Sequence, residues 1–119
     1  MFLTRIFKFS AAHFLPDVGG KCEKLHGHTY KLEVTVEGEP GEDGLVMNFA
    51  DLKKIVEEKV LEGLDHAHLN EVMENPSAEK IAIWVWERLK GEMSGGVRLY
   101  EVKVWESENA GVGYRGVGN

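Results

Sequence analysis

Two runs of alternating residues constrain this chain more than any other feature. Tyr30, Leu32, Val34 and Val36 alternate with Thr29, Lys31, Glu33, Thr35 and Glu37, and an earlier run places Phe7, Phe9 and Ala11 on one parity. A two-residue period puts each apolar set on one face of an extended strand, so the chain must build a sheet covered on that face. Both apolar faces end in imidazoles. His13 continues the parity of Ala11, and His26 and His28 lead into Tyr30. Three histidines therefore stand at the mouth of a core.

A single histidine at a strand end is ordinary. A His-x-His pair four residues after the only cysteine, Cys22, is a metal-ligand pattern. Three neutral nitrogen ligands from two adjacent strands suit zinc, and they leave one position open for water or substrate, as catalytic zinc requires. Cys22 follows the polar stretch Asp17-Val18-Gly19-Gly20-Lys21, unlike a core position. Its chain position is compatible with a fourth ligand, a nucleophile, a base or a packing residue. Chemistry is favoured, because a thiol beside lysines and a zinc cation has a lowered pKa. With one cysteine no intrachain disulfide forms, which fits a reducing compartment.

The 119 residues are read as one domain, 1–119. The net charge of -6 and the lack of any long Lys/Arg run give no support to nucleic-acid or membrane-surface binding. No segment approaches the roughly 18 apolar residues of a membrane span. Arg5 and Lys8 interrupt the first segment, unlike a secretory leader, so a cytoplasmic location is expected.

The pattern predicts strands over Phe2 to Phe14 and His26 to Gly38, with a loop from Leu15 to Leu25. A helix follows from Asn48, a candidate N-cap, to Glu62, where Gly63 is a candidate stop. A second helix opens at Asn75-Pro76-Ser77-Ala78-Glu79 and runs to Lys90. Strands then cover Val97 to Glu106 and the surroundings of Val112 to Tyr114. The order ββααββ predicts an α+β fold, an antiparallel four-stranded sheet with two helices on one face. Long open strand edges are a liability that edge-to-edge pairing of subunits removes, so a ring-like homo-oligomer is expected.

Two further polar groups carry alternatives. In Leu64-Asp65-His66-Ala67-His68-Leu69-Asn70 an Asp beside a His suits an acid–base relay, but the same residues suit an ordinary turn. Spacing does not say whether His66 or His68 would act. Glu106 continues the parity of Tyr100, Val102 and Val104. Either it is solvated beyond the strand end, or it is a partly buried carboxylate satisfied by an edge with two N–H donors, as in a pterin or guanine.

Taken in order, Phe9-Ser10-Ala11-Ala12-His13, Cys22-x-x-x-His26-Gly27-His28, Val46-Met47-Asn48-Phe49-Ala50-Asp51-Leu52-Lys53, Leu64-Asp65-His66, Asn75-Pro76-Ser77-Ala78-Glu79 and Val104-Trp105-Glu106-Ser107 resemble the 6-pyruvoyl-tetrahydropterin synthase / 6-carboxytetrahydropterin synthase family. The resemblance covers nearly the whole chain. It implies a tunnelling fold (T-fold), in which trimers close a barrel and two trimers stack into a homohexamer with active sites between subunits. It implies zinc on His13, His26 and His28, Cys22 as catalytic thiol, and Asp65 and His66 completing the catalytic set from a neighbouring subunit. Glu106 is implied as the pterin anchor and Ser77 as a substrate contact, where relatives often carry Thr.

The activity so implied is that of a lyase acting on 7,8-dihydroneopterin triphosphate. The favoured product is 6-carboxy-5,6,7,8-tetrahydropterin, with triphosphate and acetaldehyde released, as a precursor in deazapurine (queuosine or archaeosine) biosynthesis. The alternatives are triphosphate elimination alone, to 6-pyruvoyltetrahydropterin, and side-chain cleavage to 6-hydroxymethyl-7,8-dihydropterin. Glu23, directly after Cys22, keeps the last in play, because it resembles members with a Glu in place of or beside the cysteine. A pterin-binding scaffold with structural zinc is the reading outside enzymes.

Overall fold

In the computed structural model, which describes residues 1–117, five strands form one sheet: β1 (Phe2–His13), β2 (His26–Glu37), β3 (Ala67–His68), β4 (Arg98–Ser107) and β5 (Ala110–Tyr114). Their order across the sheet is β3-β1-β2-β4-β5. The four long strands pair antiparallel, as alternation predicts, with Phe2 opposite Glu37 and His13 opposite His26 at the two ends of the β1–β2 ladder. The fifth strand corrects the four-stranded expectation. β3 lies parallel to β1, with Ala67 beside Ala11 and His68 beside Ala12, so the sheet is mixed. Two residues are too few to show a period, which is why β3 leaves no alternation signal.

Phe7, Phe9, Tyr30, Leu32, Val34, Val36, Val102 and Val104 form the covered face of the sheet. Against it lie α1 (Phe49–Val56), continued without a break by a π-helical stretch (Glu57–Leu61) and α2 (Glu62–Leu64), and then α3 (Ala78–Leu89). Leu52, Val56, Val60 and Leu64 from the first rod, and Ile81, Val85 and Leu89 from α3, are fully buried in the same core. Each such side chain contributes about 1.5–3 kcal/mol relative to exposure. Both N-caps use the expected residues: Asn48 Oδ1 accepts from the Ala50 N–H at 2.8 Å, and Ser77 Oγ accepts from the Lys80 N–H at 3.2 Å. Gly63 does not stop the first helix. A Cβ there would meet the Trp84 ring at 3.3 Å, so the missing side chain serves packing between the helices. Among the described residues no helix is long and apolar enough to cross a membrane.

Candidate metal centre and its cavity

The pairing of β1 with β2 sets His13 directly opposite His26, and Ala11 opposite His28. All three rings meet at the end of the covered face. His13 is fully buried, and its Nδ1 donates to the Pro76 carbonyl at 2.7 Å; His26 Nδ1 donates to the Lys24 carbonyl at 2.6 Å. A neutral ring whose Nδ1 carries the proton presents a bare lone pair at Nε2. His13 Nε2 and His26 Nε2 nonetheless lie 3.0 Å apart. His28 Nε2 is buried without a hydrogen-bond partner, although Glu106 Oε1 is 3.2 Å from it and 3.2 Å from His13 Nε2.

Lone pairs gathered in this way repel one another until a cation lies among them. One donor atom from each of His13, His26, His28 and Glu106 falls within 4.8 Å of the others. This nitrogen-rich set, with two rings oriented by backbone carbonyls, fits zinc. Burial pushes the His28 pKa below 6.5 against the opposing pull of Glu106, and the neighbouring His13 and His26 push the same way. The ring is thereby kept in the neutral form that ligates. Beneath the cluster Tyr30 is fully buried and stacked on Phe9, its hydroxyl 3.3 Å from His13 Nδ1. Burial, and then the Glu106 charge, raises its pKa, so the phenol stays protonated.

Cys22 is half-buried on a 3-10 turn (Gly20–Glu23) and lines a cavity of about 490 Å³ with Lys21, Lys24, Leu25, His26, His28 and Glu106. Thiol, histidine and carboxylate thus share one space. Glu23 is exposed and does not line it.

Asp65 and His66 form their own unit. Asp65 Oδ1 accepts the Ser10 N–H at 3.0 Å, and its Oδ2 is 3.2 Å from His66 Nδ1. The Ser10 hydrogen bond is the first cause of its lowered pKa, with the His66 contacts adding to it. His66 has φ 59, a left-handed conformation uncommon for a residue with a Cβ, and its backbone N–H donates to the Ser10 carbonyl at 2.6 Å. Its ring is largely exposed and lines a second cleft of about 470 Å³ with Ser10, Thr29 and His28, the last of which also lines the Cys22 cavity. Within one chain the pair does not line the Cys22 cavity. His68 is outside the ligand group, with its Nδ1 3.9 Å from Glu71. Ser77 caps α3 and lines a recess with Leu15, Asp17 and Lys80 rather than the cavity.

Glu106, singled out by parity as a carboxylate for the ligand, comes level with Tyr30, beside His28, because Val104 pairs with Leu32; its place among the imidazole nitrogens was not expected. The carbonyls of Pro76 and Lys24 had no signal, since any residue type supplies a carbonyl.

The sequence model of the 6-pyruvoyl tetrahydropterin synthase family matches residues 2–117. A Pyrococcus furiosus protein named dihydroneopterin monophosphate aldolase is 46% identical over 104 residues, covering 87% of this chain and 88% of that one. Human 6-pyruvoyl tetrahydrobiopterin synthase is 40% identical over 134 residues, 96% of this chain and 90% of that one. An Archaeoglobus fulgidus protein provisionally named 6-carboxy-5,6,7,8-tetrahydropterin synthase is 43% identical over 101 residues, 85% and 84% of the two chains. The solved structure of Caenorhabditis elegans 6-pyruvoyl tetrahydropterin synthase superposes with a TM-score of 0.88 at 31% identity, covering 98% of this chain and 95% of that one.

Proposed function

This chain belongs to the 6-pyruvoyl tetrahydropterin synthase family of pterin lyases, and from that premise we propose that it breaks a carbon–carbon bond in the side chain of a 7,8-dihydroneopterin phosphate. The products are 6-hydroxymethyl-7,8-dihydropterin and glycolaldehyde phosphate. The observation that carries lyase chemistry is the grouping of Cys22 with His26, His28 and Glu106 in one cavity. The choice of reaction rests on similarity to the Pyrococcus aldolase. It moves side-chain cleavage ahead of the 6-carboxytetrahydropterin reaction expected from sequence.

Zinc held by His13, His26 and His28 would supply Lewis-acid polarisation of the side-chain hydroxyls. Cys22, as thiolate, takes the proton of the C2′ hydroxyl. The C1′–C2′ bond then breaks, its electron pair passes into the C6=N5 unit of the ring, and the proton returns to C1′. No atom or electron is left over. Glu106 accepts from the N–H edge of the pterin, and the Asp65–His66 pair of a neighbouring subunit relays that same proton from Cys22 toward C1′. We infer a homo-oligomer whose sites lie between subunits, because within one chain that pair stands outside the Cys22 cavity; the family resemblance implies a homohexamer, a dimer of trimers. Incubation of zinc-loaded protein with the monophosphate and the triphosphate, followed by mass spectrometry, tests the reading. The hydroxymethyl product is expected. The second reading, supported by the Archaeoglobus relative, yields 6-carboxytetrahydropterin, triphosphate and acetaldehyde from the triphosphate substrate instead.

A further inference from the structure

β1 needs a neighbour on its outer edge, and β3 supplies one only at Ala11 and Ala12. Two residues further on, Asn70 takes over with its side chain. Its Oδ1 accepts the Phe14 N–H at 3.0 Å, and its Nδ2 donates to the Phe14 carbonyl at 3.0 Å. The amide thereby imitates one residue of a neighbouring strand, satisfying both backbone groups of Phe14. Leu69, fully buried, anchors Asn70 from the preceding position.

Phe14 lies between the two parts of the site. On one side is His13, whose ring is held by Pro76; on the other is Leu15, whose N–H donates to the Cys22 carbonyl at 2.6 Å. We propose that Asn70 is a positioning residue that sets His13 of the metal centre and the Cys22 turn in register, by clamping Phe14, the residue between His13 and Leu15. The amide touches neither a metal ligand's donor atom nor the thiol. It acts through the Phe14 backbone. This inference rests on the metal and lyase readings above for two of its three readouts, and the third stands without them.

The test compares wild type with Asn70→Ala and with Asn70→Asp, which keeps the acceptor for the Phe14 N–H and loses the donor. In metal-free protein, amide hydrogen exchange at Leu15 should quicken by about tenfold in Asn70→Ala, with Ala12 unchanged. Zinc affinity, from competition with a chelator, should fall by about tenfold, the usual effect of losing a group that orients a ligand. For the dihydroneopterin phosphate, kcat should fall by about tenfold or more with KM nearly constant. Asn70→Asp should fall as well, because its second carboxylate oxygen would face the Phe14 carbonyl where the amide now donates. A lower melting temperature with unchanged Leu15 exchange, zinc affinity and kcat overturns the proposal, since Asn70 would then be a stability residue alone. If Asn70→Ala does not fold, unchanged values for Asn70→Asp overturn it equally. Wild-type protein that turns over no pterin rejects the lyase reading, while exchange at Leu15 still decides the role of Asn70.

Discussion

His26 tests the ligand set most simply, because its Nδ1 is held by a backbone carbonyl and its Nε2 has no task except toward the cluster. His26→Ala should lose metal by elemental analysis while keeping its fold, and full zinc occupancy would remove His26 from the centre. Glu106 divides binding from ligation. Glu106→Gln should retain zinc on three imidazoles but bind neopterin more weakly by about 1.5–3 kcal/mol in calorimetry, as one charge-assisted acceptor is lost. Equal affinity would contradict the anchor role. Asp65 supplies the pH test. Its folded pKa lies below the ordinary 3.8, so the folded state holds the carboxylate more tightly than the unfolded chain does. That contribution is present above 3.8 and is lost as pH falls through the folded value. Asp65→Asn should therefore flatten the acid limb of stability below about pH 4 in denaturant titrations; an unchanged limb would assign acid sensitivity to other groups. The gathering of His13, His26 and His28 was legible because histidines at such spacing have few other uses. Asn70 was not, since an asparagine in a turn looks the same whether or not it clamps a neighbour.

Among the elements, those with a period were readable and those without were not. The alternation of β2 and the stripe of Leu52, Val56 and Val60 follow from one covered face, so sequence and fold agree there to within a few residues. The π-helical turn has no such signature. It depends on how the rod meets α3, where Arg88 donates to the Lys59 carbonyl and Trp84 packs on Gly63. Ser77 illustrates how an element can claim a residue expected to serve a ligand. Its cap bond predicts that Ser77→Ala costs about 1 kcal/mol in thermal or urea unfolding. Unchanged neopterin affinity in that variant would confine Ser77 to capping, and a loss of affinity would restore the substrate contact inferred from the resemblance.

The whole molecule leaves two edges open among the described residues. β5 has no outer neighbour, and β1 has none over residues 2–9. Phe2 and Ile6 are more than half exposed on the uncovered face. Subunit pairing would cover those edges and bring an Asp65–His66 pair to a foreign Cys22 cavity. Mixed Cys22→Ala and His66→Ala chains should then recover activity after subunit exchange; no recovery despite demonstrated exchange would place each complete site within one chain. The central claim, a metal gathered by His13, His26 and His28 and used on a pterin side chain, is tested most directly by stripping the protein with a chelator and titrating zinc back. Formation of 6-hydroxymethyl-7,8-dihydropterin from the dihydroneopterin phosphate should rise with added zinc and saturate at one ion per chain. Turnover by the stripped protein as fast as by the loaded one would contradict the account.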